Sequence, residues 1–145
     1  QDLNKAMDLI EEADRIVSEI PDLYSFFRGI EFYRAKIYFL GNNIEYAQKF
    51  AEKVWYSFED HSDHIFSLIV DIYKKQGFWE ILEDFCLDAY IENKHSPIRM
   101  EFLFYAHLKR GSLIKAKHIY EWVEHYYPEY LPQLEVIQKE LGIKY

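Results

Sequence analysis

The sequence predicts an all-α chain, an α-solenoid of antiparallel helical hairpins, and three observations lead there. Turn and strand formers are scarce: 145 residues hold five glycines, four prolines and no threonine, while half are apolar. Three glycines, in "YFLGNN" (Gly41), "KKQGFW" (Gly77) and "LKRGSL" (Gly111), stand 36 and 34 residues apart, each between two aromatic-rich helical patterns. Beyond each glycine, an apolar residue is followed by another four later and a third three after that. These sets are Ala47, Ala51, Val54, then Leu82, Cys86, Ala89, then Ala116, Tyr120, Val123. Offsets of four and seven fall on one helix face.

In chain order, a first helix is expected over about 2–19, where Ala6, Ile10 and Ala13 form a fourth such set. It has no partner helix ahead of it and reads as a half repeat. The chain also begins at Gln1 rather than Met, so a fragment of a longer protein is expected. Helices over 23–40 and 44–58 flank Gly41. Asp60 and Ser62 are candidate N-caps for a helix over 62–76, with Phe66, Ile69, Val70 and Tyr73 on its core face. Lys74 and Lys75 suit the negative end of that helix, and Gly77 can take the left-handed conformation that closes it. A helix over 78–93 follows. Ser96 then caps a helix over 97–110 with Pro97 at its first position and Met100, Leu103, Phe104 and His107 facing inward. Lys109, Arg110 and Gly111 close it, a helix over 112–127 runs to Pro128, and Leu134, Ile137 and Leu141 mark a last helix over 131–141. The whole of 1–145 reads as one domain of about three repeats (about 27–61, 63–96 and 97–130), an N-terminal half repeat and a C-terminal capping helix.

These features resemble the tetratricopeptide repeat family, most clearly over Pro97–Pro128. The copy at 63–96 carries Val70 and Leu82 where that family has small residues, and the copy at 27–61 carries Arg34 in such a place and one extra residue after Gly41. Pentatricopeptide repeats share a period near 35 residues. The resemblance implies that first helices line a concave groove that binds a peptide or helix of a partner protein. Its candidates here are Arg28, Glu31, Phe32, Ala35, Tyr38 and Phe39, then His64, Ser67, Asp71, Lys74 and Lys75, then Glu101, Tyr105, Leu108 and Lys109. The family's clamp for a peptide C-terminus is not implied, because Glu31, Ala35, Ser67 and Asp71 stand at its positions.

Charge bounds the partners. A net charge of −8 disfavours polyanions, since phosphate binding rests on Lys and Arg. Segment 94–117 is nevertheless basic, with Glu101 its only acid, while in 59–92 Lys74 and Lys75 are the only cations. An acidic peptide is therefore the expected ligand, and a nucleic-acid-binding repeat is the alternative. The stretch "KRGSLIKAKHIYEWVEHYYPEY" (109–130) interleaves bases with aromatics, yet most of it resolves into a turn and a core face. Cys86, the single cysteine, excludes an intrachain disulfide and is compatible with a reducing, cytoplasmic setting. No apolar run is long enough for a membrane span.

Two histidine clusters admit a second reading. His61, Asp63 and His64 in "DHSDH", and His118, Glu121 and His125 on one helix face, have metal-ligand spacing. A helix N-terminus for the first and a polar helix back for the second are the preferred readings, and no metal or cofactor is expected. Trp122, beside the second cluster, is a candidate convex interface. No phosphate loop or nucleophile–base motif is visible, so the chain is expected to be non-catalytic; a regulatory domain of an enzyme is a further alternative.

Overall fold

The computed structural model describes the backbone of residues 2–19 and 24–143 and the side chains of 2–19 and 28–143. Among the described residues the chain is all-α, with eight α-helices and no strand. These are α1 (Leu3–Ser18), α2 (Tyr24–Leu40), α3 (Ile44–Glu52), α4 (Asp63–Gln76), α5 (Trp79–Glu92), α6 (Pro97–Arg110), α7 (Leu113–Tyr126) and α8 (Leu131–Leu141). They gather in two compact units, Gln1–Gln76 and Gly77–Tyr145. The start of the second expected helix, at Leu23, lies outside the described residues. None of the described helices is long and apolar enough to cross a membrane.

In the first unit, α2 packs against α1 and α3, and α3 packs against α4. The expected face of α3 is buried at Ala47, Ala51 and Val54, as is that of α4 at Phe66, Ile69, Val70 and Tyr73. Ala6, Ile10 and Ala13 of α1 are only half-buried, and no residue of α1 is fully buried. Charge contributes what apolar burial does not. The Arg34 guanidinium from α2 reaches Glu11 and, at 3.0 Å, Asp14 of α1. It also lies 3.6 Å from the buried Glu31 carboxylate and over the Phe50 ring at 5.3 Å. Arg34 is thus an ionic tie between α1 and α2.

In the second unit, α6 is central, packed by α5, α7 and α8. Leu82, Cys86 and Ala89 of α5, Met100, Leu103 and Phe104 of α6, and Ala116 and Val123 of α7 are all buried, and Leu134 and Ile137 of α8 join them. Tyr120 is half-buried, its hydroxyl donating to Glu135 at 3.2 Å. Ser96 caps α6 by accepting from the Arg99 amide, with Pro97 behind it. Two polar side chains share this interior. Glu83 of α5 and His107 of α6 meet at 2.7 Å between Oε2 and Nδ1, both largely withdrawn from water. Arg110 Nε is 3.7 Å from the other Glu83 oxygen.

Two details of the first unit depart from the sequence reading. Gly41 does not supply the left-handed residue at its turn; Asn42 does, at φ 62. The Asn42 amide donates to the Phe39 carbonyl and that of Asn43 to Tyr38, a closure repeated at Gly111 (φ 76), where Gly111 and Ser112 donate to Leu108 and His107. With Asn42 as the turn residue, Ala47, Leu82 and Ala116 each follow their turn by five positions, so no extra residue remains there. Gly41 is instead a close-approach site, where an added Cβ would lie 3.3 Å from Leu3 of α1. Replacing Gly111 by alanine should cost the second unit about 1 kcal/mol, because a Cβ is strained in the left-handed region. Urea unfolding reads this directly; an unchanged midpoint would mean that the turn relaxes without cost.

The second departure is at the end of α3, expected to run to 58. It gives way to a π-helical turn, Lys53–Ser57, closed by the Phe58 amide on the Lys53 carbonyl at 3.1 Å. The wider turn buries Val54 and Trp55 together and sets the Trp55 carbonyl facing His61. His61 Nε2 donates to that carbonyl at 3.0 Å, with its ring stacked on the indole at 4.0 Å. Glu59, at φ 51, turns the chain towards α4.

Candidate functional site

The helix α2 has two unlike faces. Ile30, Glu31, Arg34 and Ala35 are buried, whereas Arg28, Phe32 and Lys36, four residues apart in succession, lie along the other side beside Gly29 and Tyr33. Opposite this second face, the 58–62 loop and the start of α4 present Asp60, Ser62 and His64. Together they enclose a groove of about 430 Å³ within the first unit. The Asp60 carboxylate is turned onto its own loop, accepting from the Ser62 amide at 3.1 Å. Arg28 and Lys36 are exposed and have no hydrogen-bond or ion-pair partner among the described residues. Phe32 and Tyr33 meet edge-on at 5.3 Å, with Tyr33 55 % exposed. The groove thus offers two cations unpaired among the described residues, an apolar strip between them and a polar far wall. That combination suits a chain carrying both apolar and acidic side chains.

Of the residues singled out from the sequence, the structure brings Arg28, Phe32 and His64 together here. Gly29, Tyr33, Lys36, Asp60 and Ser62 were missed; the four-residue spacing of Arg28, Phe32 and Lys36 was the available signal for the last cation. Glu31 and Ala35 are not groove residues. Glu31 is buried, held by Arg34 and by Lys53 Nζ at 4.0 Å, and Ala35 is packed in the core. Tyr38 turns the other way, stacked on Tyr46 and Phe50 at 5.3 and 5.6 Å, and borders a separate open cavity near Leu3 and Met7. Phe39 is half-buried. On α4, Asp71 and Lys75 are exposed, while Ser67 and Lys74 are half-buried.

In the second unit, the Lys109 ammonium sits 4.7 Å over the Trp79 ring, with Tyr105 6.3 Å from that ring. This cation is therefore engaged within the fold. Leu108 is buried rather than groove-lining. Glu101 is half-buried and borders a small apolar pocket of about 200 Å³ with Met100, Val123 and Leu134. Trp122 is half-buried, tilted onto Tyr126 at 4.2 Å, and its indole N–H is buried without a hydrogen-bond partner. His118 and His125 are exposed, the latter edge-on to Tyr126 at 4.5 Å. Cys86 is a buried free thiol packed in the α5 core face. Among the described residues no three His, Cys, Asp or Glu side chains converge as a metal site.

The chain matches no family model, no curated protein and no solved structure, so its function has to be read from its own residues.

Proposed function

We propose that the chain is a tetratricopeptide-like helical-repeat module, non-catalytic, whose task is to hold a peptide segment of another protein. One observation carries this reading: the α2–α4 groove, in which Phe32 and Tyr33 lie between Arg28 and Lys36, two cations with no partner among the described residues. Buried aromatic anchors supply most of the affinity at such surfaces, and flanking charges supply selectivity and on-rate. Turn residues at Asn42, Gly77 and Gly111 support the repeat reading, each followed five positions later by a buried residue (Ala47, Leu82, Ala116) and twelve positions later by another (Val54, Ala89, Val123).

Panning a displayed library of random peptides against the protein tests the reading. Peptides enriched on the native chain should be lost on a Phe32→Ala variant whose helical content is unchanged. Enrichment that survives Phe32→Ala would remove the groove as the binding site.

A further inference from the structure

Gly29 is the odd residue of the groove. It lies inside α2, where glycine costs roughly 0.5–1 kcal/mol relative to alanine. Nothing among the described residues asks for it: its φ is not positive, and an added Cβ would meet no described atom within 4 Å. A helical glycine that the fold does not need, sitting in a groove, leaves bare backbone for something else to approach. Resting on the peptide-binding reading above, we infer that the groove takes an extended acidic peptide whose main chain passes over Gly29, with two acidic side chains on the same face held by Arg28 and Lys36.

The spacing sets the ligand's pattern. Arg28 and Lys36 are eight residues apart on one helix, about 12 Å along its axis at roughly 1.5 Å per residue. An extended chain covers about 13 Å in four residues and returns to the same face every second residue. Two acids four residues apart therefore meet the two cations, and the residue midway between them meets Phe32. The pattern is acid–x–apolar–x–acid. Charge complementarity favours it: the groove is lined by two cations, Arg28 and Lys36, against one carboxylate, Asp60, which accepts from the Ser62 amide on its own loop.

Three fluorescein-labelled ten-residue peptides provide the test by anisotropy. One carries glutamates flanking leucine in this pattern, one has the same composition with the glutamates adjacent, and one has lysines in place of the glutamates. The patterned acidic peptide should bind at least tenfold tighter than either other peptide. The Arg28→Glu/Lys36→Glu double variant should lose that preference, while Lys117→Glu should leave it intact. Gly29→Ala should raise the unfolding midpoint of the first unit yet weaken the patterned peptide at least fivefold, a combination that a purely structural glycine cannot give. Equal binding of all three peptides, still sensitive to Phe32→Ala, would overturn the acidic pattern and leave the groove standing. Absence of binding by every peptide, or insensitivity to Phe32→Ala, would overturn the pattern and the groove assignment together.

Discussion

Replacing Arg34 with leucine should cost the first unit about 3 kcal/mol, in the lower part of the range for breaking a buried ion pair. The guanidinium is 7 % exposed and the Glu31 carboxylate beside it 6 %, so removing the arginine leaves a buried anion whose remaining cation among the described residues is Lys53 at 4.0 Å. Glu11 is more than half exposed and can return to water, which keeps the loss from reaching the top of that range. The α1 helix should feel the change most, because none of its residues is fully buried. Amide exchange in α1 and α2 should accelerate together, ahead of α4. A double variant, Arg34→Leu/Glu31→Leu, should recover much of the loss by removing both buried charges. If Arg34→Leu costs less than about 1 kcal/mol by urea unfolding, α1 is held by its half-buried apolar residues and not by this arginine.

The second large effect lies at Glu83 and His107, and it should make the second unit acid-sensitive. Burial pushes the His107 imidazole below its usual value, and hydrogen bonding to Glu83 only partly offsets this. Burial alone would raise the Glu83 carboxyl, but hydrogen bonds from His107 and Ser112 outweigh it and hold the group below the usual range. Both groups shift in the direction that favours folding at higher pH. Between the depressed His107 value and 6.5, the unfolded chain binds a proton that the folded chain refuses, so stability falls as pH drops through that window. A second loss begins below 4.5, where the unfolded glutamate protonates before the folded one. His107→Gln should flatten the first step without removing the second. Glu83→Leu should cost about 2–3 kcal/mol at neutral pH, because it leaves the buried imidazole without an acceptor and strips Arg110 of its partner. Denaturant midpoints from pH 4 to 8 would show the first step and the onset of the second, and a flat profile between 5 and 7 would remove His107 as the source of the first.

The regular parts of this fold were legible because they follow from period and punctuation. Ala47, Ala51 and Val54, or Met100, Leu103 and Phe104, mark a helix face by spacing alone, and Ser96–Pro97 marks where a helix starts. Buried charge was not legible. Arg34, Glu31 and Glu83 look like surface residues in a sequence, since nothing local reveals the partner that makes their burial tolerable. At the Gly41 turn, glycine was the favoured left-handed residue, but Asn42 takes that conformation and Gly41 is instead where Leu3 of α1 comes close. The groove was half legible. Arg28, Phe32 and His64 emerged from the repeat register, whereas Asp60 and Ser62 reach it only through the irregular chain after the π-turn, which no periodicity encodes.

The same stretch holds a discrepancy in the spacing. From Asn42 to Gly77 is 35 residues, and from Gly77 to Gly111 is 34. Counted with the π-turn, 44–57 is as long as Trp79–Glu92, and each opens two positions after its turn residue. The surplus residue therefore falls after the π-turn, where 58–62 has five residues and 93–96 has four. That loop is where Glu59 takes its positive φ and where Asp60 and Ser62 meet α2, so the added residue is built into the far wall of the groove.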